Sequence, residues 1–240
     1  MGGRERQQIG YAPQQFVYPP ALTAQEAIGF AAGLYGLGWR KGPRAVRAVL
    51  EKSGLWEKRN RPLVGMSGGE RRLVTNAAAL VHQPRLVFMD EPTSGLDPIL
   101  RAQTWDWFRQ LKEAGQTLLI SGHYLAEAES CDRMALLVHG HLVALGTPKE
   151  LRCEALGGEL IDIEVEGTVA GALDALTGHP LVRKSNATSA GHLLITVDDA
   201  GKAMPVLVED LRARGVHVVA AHEVQPPMDE IFAKLVQESA

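Results

Sequence analysis

Two adjacent acids, Asp90 and Glu91, close the apolar run LVFM at residues 86–89. Side-by-side carboxylates repel unless a cation or a proton-transfer task accounts for them. Asp90 suits magnesium, as a hard oxygen ligand acting directly or through water. Glu91 suits the orientation and deprotonation of an attacking water. A solvated acid pair leading into a turn is the plain structural alternative. His123 stands just past a second apolar run, TLLIS (117–121). A packed or solvent-facing histidine is common there; a neutral imidazole donor aimed at a terminal phosphate is the sharper reading. Gln14, after IGYAP (9–13), is a neutral oxygen ligand that no local motif supports, and a second candidate for the metal.

The stretch SGGE (67–70) offers a different chemistry. Ser67 at a helix N-cap and Glu70 at the third helical position make a capping box, which explains the pair without any ligand. Gly68 and Gly69 at the first helical positions each cost about 1 kcal/mol relative to alanine. What they provide is bare backbone, over which a phosphate can approach the first amides and the positive end of the helix dipole. Asp97 in SGLDP (94–98) caps the next helix, with Pro98 at its first position.

Regular elements must position these residues. IGYAP reads as a short strand, with the prolines that follow forbidding a helix. Residues 23–83 read as a helical block: Thr23 and Glu26 have capping-box spacing, a glycine- and base-rich break GLGWRKGP (36–43) leads to a second helix, and a third starts at Ser67. From residue 85 the pattern changes to strand (RLVFM), helix (99–113), strand (TLLIS), the helical stretch YLAEAESC, and two strands meeting at His139-Gly140-His141. LVFM and TLLIS are continuous apolar runs, expected to be buried strands of a parallel α/β sheet. His139 and His141 are expected in an exposed hairpin turn, not on a metal. Gly157-Gly158 is the expected domain boundary, giving domains 1–157 and 158–240. Beyond it the order βαββαβ predicts a small ferredoxin-like α+β domain, followed by an amphipathic helix over PPMDEIFAKLVQES.

Composition excludes several classes. A chain of 240 residues with 45% apolar and 22% charged residues is an ordinary globular chain, needing no disulfide or metal staple. A formal net charge of -3 argues against a nucleic-acid binder with a broad basic face. Cys131 and Cys153 are too few for a disulfide framework and are expected to be idle thiols in a reducing cytosol. No apolar run approaches the ~20 residues that span a bilayer, and the N-terminal residues lack the apolar region of a secretory signal. Gly2 invites N-myristoylation, but Arg6 stands where serine or threonine is wanted.

Taken in order and spacing, the motifs resemble those of the ATP-binding subunits of ABC transporters. YAPQ is similar to the Q-loop, MSGGE to the signature loop, LVFMDEP to the Walker B strand, SGLD to the D-loop and ISGH to the switch-histidine loop. The C-terminal βαββαβ unit and PPMDEIFAKL resemble the tail of ATPase subunits of ABC-2-type drug and polysaccharide exporters. The resemblance implies a P-loop NTPase-like α/β core with a helical subdomain, ATP and Mg2+ as ligands, and ATP hydrolysis that powers export. It implies a transmembrane permease and a second ATPase subunit as partners, a cytoplasmic place at the inner face of the membrane reached only through the permease, and no nucleic acid. It also implies that Ser67–Glu70 face the nucleotide held by the other subunit, whereas Gln14, Asp90, Glu91 and His123 serve the chain's own site. Glu70 departs from the family's usual glutamine. The pattern G-x-x-x-x-G-K-[ST] and the adenine-stacking aromatic of the family are absent from these 240 residues. The expectation is therefore an exporter ATPase whose sequence starts within the ATPase domain; a non-hydrolytic half-domain that lends its signature loop to an intact partner is the alternative. A nucleic-acid or repair ATPase of the same superfamily fits less well, given the helical block and the exporter-like tail.

Overall fold

A computed structural model describes residue 5 and residues 7–167, 169–189 and 191–238. Gly2 and Arg6, the residues that bear on myristoylation, lie outside them. By packing, the chain divides into two compact units, Met1–His123 and Tyr124–Ala240.

The first unit is built on three parallel strands in the order β1 (Ile9–Ala12), β2 (Leu86–Asp90), β3 (Thr117–Ser121). Ala12 pairs with Met89 and Asp90 with Ser121, so the strands end at one edge. Between β1 and β2 lie three helices, α1 (Ala24–Leu34), α2 (Gly42–Lys52) and α3 (Gly68–Leu80), and α4 (Pro98–Glu113) joins β2 to β3. The Thr23–Glu26 capping box forms as expected at the start of α1, each residue satisfying a backbone amide of the other. Helix α3 is buried around most of its circumference and places Val74 and Ala77 in the core with Ala12, Val87 and Met89. Strand β1 runs so close to α3 that a Cβ on Gly10 would stand 2.4 Å from the Ala79 carbonyl oxygen. Only glycine permits that approach, which brings the end of β1 and Gln14 up to the start of the helix.

One expectation fails here. TLLIS is a strand, but not a buried one: among the described residues β3 pairs with β2 on one side and forms the sheet edge, leaving Leu119 60% exposed. A continuous apolar run reports what a strand is able to bury, not whether a neighbour covers it.

The second unit opens with Leu125–Ser130, where the expected helical stretch takes the tighter 3-10 form. Strands β4 (Met134–Val138) and β5 (His141–Gly146) form an antiparallel hairpin. His139 and Gly140 both have positive φ, 49° and 82°, the conformation of the tight turns that match strand twist. Both histidines are exposed, as the sequence suggests. Helix α5 (Pro148–Leu156) starts with a Thr147–Glu150 capping box and ends at left-handed Gly157. Next come β6 (Glu159–Glu166), α6 (Val169–Leu176), β7 (Val182–Ser189), β8 (His192–Val197), α7 (Ala200–Ala213) and β9 (His217–Val224). Their antiparallel sheet order is β7-β8-β6-β9, the ferredoxin-like arrangement expected from the element order. Helices α6 and α7 supply Ala172, Leu176, Leu207 and Leu211 to a core with Ile161, Ile163, Leu193 and Ile195.

The last helix, α8 (Met228–Glu238), joins a separate core. Met228, Ile231 and Leu235 pack with Leu151 of α5 and with Leu136 and Ala144 of the hairpin. The chain's end thus returns to elements that precede Gly157-Gly158, so the compact unit starts at Tyr124 while the composition break lies later. Cys131 and Cys153 are unpaired and partly buried, and burial is the main influence pushing both thiols up. Among the described residues no helix is long and apolar enough to cross a membrane.

Candidate functional site

The sheet edge gathers most of the residues singled out for chemistry. Asp90 is the last residue of β2, and its Oδ1 accepts a hydrogen bond from Ser121 Oγ on β3. Glu91 then leaves the sheet with φ 48°, a left-handed conformation that costs a residue bearing a Cβ. The Glu91 amide donates to the Ser121 carbonyl at 3.1 Å and lies 3.2 Å from Ser121 Oγ. With the backbone held in this way, Glu91 Oε1 lies 3.3 Å from His123 Nδ1. A carboxylate able to accept a proton and an imidazole able to donate one therefore share one corner at the carboxyl ends of the strands.

The start of α3 forms the second part. Ser67 N donates to Glu70 Oε2 at 2.8 Å and Glu70 N donates to Ser67 Oγ at 3.1 Å, a complete capping box. Glu70 also receives Lys58 Nζ at 2.6 Å, with Arg61 Nη1 at 3.7 Å. The hydrogen bond from Lys58 is the largest influence holding the Glu70 carboxyl below its ordinary range. Its charge is thus spent on anchoring the loop, not offered to a ligand. The two glycines differ in role. A Cβ on Gly69 would stand 3.0 Å from the Gly95 carbonyl oxygen and 3.2 Å from Leu96 Cδ2, so Gly69 lets the helix pack on the 95–96 turn. A Cβ on Gly68 would meet nothing within 4 Å. The Gly68 and Gly69 amides precede the first intrahelical bond and have no acceptor among the described residues. Gly68 is the open backbone at a positive helix end, and this is the feature suited to a phosphate.

Asp97 caps α4 through Oδ1, which accepts from Leu100 N at 2.9 Å, with Pro98 in the first turn. Its capping role is realised, and its side chain is at the surface. Gln14 lies past the end of β1 with an exposed side chain, and it is tied to the site through its backbone.

That tie is Arg72, which sequence reading passes over. This guanidinium is buried, with the residue 8% exposed. Its Nη1 donates to Pro13 O at 2.7 Å and to Asp90 O at 3.4 Å, and its Nη2 to Gln14 O at 2.6 Å. Burial pushes the guanidinium down while Glu91 and Asp90 act to hold it charged. Asn76, one turn further along α3, is fully buried and donates to Pro92 O at 2.9 Å. Together they bind α3 to both strand ends. The available signal was spacing: Arg72 and Asn76 fall three and seven residues after Gly69, on the helix face that must turn inward. Nothing in residue type marked Arg72 rather than Arg71 as the buried one.

No group of three or more His, Cys, Asp or Glu among the described residues could hold a metal ion. Magnesium is ordinarily held by one or two carboxylates together with substrate phosphates. A single acid at a strand's carboxyl end, such as Asp90, fits that mode and does not fit an all-protein cage.

Comparison with known proteins agrees with this geometry. The model for the ABC transporter family matches residues 3–94, and that for the C-terminal domain of DrrA1-3-like ATP-binding proteins matches residues 146–236. The chain is 32% identical over 243 residues to the linearmycin resistance ATP-binding protein LnrL of Bacillus subtilis (strain 168), covering 97% of this chain and 75% of LnrL. It is 33% identical over 241 residues to the daunorubicin/doxorubicin resistance ATP-binding protein DrrA of Streptomyces peucetius, covering 98% of this chain and 72% of DrrA. A solved structure, described as that of an ATP-binding subunit of an ABC transporter, superposes with a TM-score of 0.57 at 30% identity. That match covers 63% of this chain and 64% of the other. With relatives of this identity aligned over nearly its whole length, the chain belongs to the family of ABC transporter ATP-binding proteins.

Proposed function

We propose that this protein is an ATP-hydrolysing subunit that powers an ABC-type exporter, and that Ser67–Gly69 form the half of a composite ATP site that faces a nucleotide held by a second ATPase subunit. The observation that carries this reading is the start of α3: a capping box fixes the turn, and Gly68 leaves open backbone at the helix's positive end. In the family, MgATP supplies the phosphoryl group whose transfer to water drives transport. Toward such a ligand, Asp90 at the end of β2 would hold magnesium, directly or through water. Glu91 would orient and deprotonate water, and His123, whose Nδ1 lies 3.3 Å from Glu91 Oε1, would donate to a terminal phosphate. Gln14 is proposed as a further oxygen ligand of the metal, its position set by the Arg72 bonds. Asp97 contributes by fixing the turn that Gly69 packs against. A transmembrane permease would hold the subunit at the inner face of the membrane, which also fits the drug-resistance roles named for LnrL and DrrA.

The test is complementation. The 240-residue chain is mixed with a P-loop-bearing ATPase subunit of the family whose own signature serine is disabled, and phosphate release is followed. Turnover is expected to rise, and Ser67→Arg, which fills the open helix end, is expected to abolish the rise. No rise with any competent partner, or an undiminished rise with Ser67→Arg, refutes the assignment. By itself the 240-residue chain should show no MgATP-dependent change in thermal stability. A site at about 100 times its dissociation constant would add ~2.7 kcal/mol, a shift too large to miss.

A further inference from the structure

The glycine- and base-rich break between α1 and α2 contributes none of the residues assigned above to the ATP site, yet it combines exposed cations with exposed large apolar side chains. From residue 27 to residue 50 the chain contains no acid and four bases, although its net charge is -3. Two of its neighbours are spent internally: Arg47 pairs with Glu51 at 2.8 Å and stacks over Trp56, where Arg59 also stacks. Arg40, Lys41 and Arg44 are exposed and have no carboxylate partner among the described residues. Lys41 stands at the N-cap of α2 without a side-chain cap bond, and the first turn carries no acid. Cations therefore stand where the helix dipole favours anions, which strengthens the positive field at that corner.

Apolar groups share this surface. Trp39 is 80% exposed, with the Arg40 guanidinium 4.7 Å from its ring centre. Leu34, the last residue of α1, is 71% exposed, and Phe30, one turn earlier on the same face, is 58% exposed. Large apolar side chains kept in water beside unpaired cations are the composition of a surface that settles at the headgroup level of a bilayer. Tryptophan occupies that interface, lysine and arginine meet anionic headgroups, and aliphatic groups enter the acyl boundary. An acidic protein segment would answer the charge but would leave three exposed apolar side chains without a stated role. Nucleic acid is disfavoured by the narrow extent of the basic stretch.

We propose that Phe30, Leu34, Trp39, Arg40, Lys41 and Arg44 form a contact surface for anionic phospholipid, by which this subunit touches the membrane directly in addition to any permease. The inference rests on the exporter reading only in that such a subunit works beside a membrane. Its test uses neither nucleotide nor a second subunit, so the two stand or fall separately. The full 240-residue chain is sedimented with vesicles of phosphatidylcholine alone and with vesicles containing about 30 mol% phosphatidylglycerol. Binding is expected to the anionic vesicles only, and to weaken between about 0.05 M and about 0.5 M salt as the Debye length contracts. Each cation near an anionic surface changes partitioning by roughly fivefold, so Arg40→Gln/Lys41→Gln/Arg44→Gln should lower it about a hundredfold. These residues are exposed, and an unchanged circular dichroism spectrum would confirm that the variant folds. Tryptophan emission should shift to the blue on binding, and Trp39→Phe should remove that shift while vesicles still sediment the chain. Equal binding to both vesicle types, full binding by the triple variant, or an unchanged blue shift in Trp39→Phe overturns the proposal. Binding of polyglutamate without binding of vesicles also overturns it, assigning the patch to an acidic protein segment.

Discussion

Replacing Arg72 with methionine tests how the site is held together. The change removes two short hydrogen bonds to the carbonyls of Pro13 and Gln14 and a longer one to Asp90. A hydrogen bond to a charged group contributes about 1.5–3 kcal/mol, but the Gln14 end is exposed enough for water to replace the guanidinium. The two short bonds therefore account for about 3 kcal/mol. Loss of the cation that faces Asp90 and Glu91 adds to the cost by leaving two carboxylates unbalanced. Against this, burial of the guanidinium is itself unfavourable, and methionine recovers part of that penalty while filling much of the same space. The expected net effect is a loss of about 2–3 kcal/mol, with Arg72→Lys losing less because it retains the charge but not the fork. All four tryptophans (39, 56, 105 and 107) lie in the first compact unit, so their fluorescence in a urea titration reports that unit alone. With a slope of about 1–3 kcal/mol per molar urea, the midpoint should fall by roughly 0.7–3 M at unchanged slope. A methionine variant within about 0.5 kcal/mol of the parent would mean that desolvation cancels the bonds and that Arg72 holds nothing in place.

Glu91→Gly should raise the stability of the isolated chain, read from its urea titration, by about 0.5–1 kcal/mol, because glycine relieves the positive φ and one of two adjacent charges goes; a clear fall would show that the contact with His123 outweighs both. The depressed carboxyl of Glu70 makes the first unit acid-sensitive. Its stabilising contribution is present above the unfolded carboxyl value, near 4.3, and is lost as pH falls through the lower folded value, so Glu70→Gln should be less stable than the parent at pH 7, with the gap closing toward acid in pH-dependent urea titrations. Limited proteolysis should yield a resistant C-terminal fragment that starts near Tyr124 and retains residues 225–238, since α8 packs on α5 and the hairpin; mass spectrometry finding the main resistant fragment to start near Gly158 would instead favour the composition break as the domain boundary.

Local rules written into the sequence determined much of this protein. Capping boxes at Thr23 and Ser67, the Asp97–Pro98 helix start and the His139-Gly140 turn form from residues within a few positions of each other, so spacing alone specifies them. The order of strands and helices was readable for the same reason, and the handedness and pairing rules for βαββαβ then leave few topologies besides the observed order β7-β8-β6-β9. Tertiary structure alone decided which equivalent residues do which work. It buried Arg72 and left Arg71 half-buried, gave Gly69 to packing and Gly68 to open space, and committed the charge of Glu70 to Lys58. It put Leu119 on an exposed edge despite an apolar run that would suit a buried strand, and it carried α8 back to α5 across the composition break. Each outcome depends on contacts between segments far apart in the chain. A residue's type states what it is able to bury or bond, while its partner is fixed only when those segments meet.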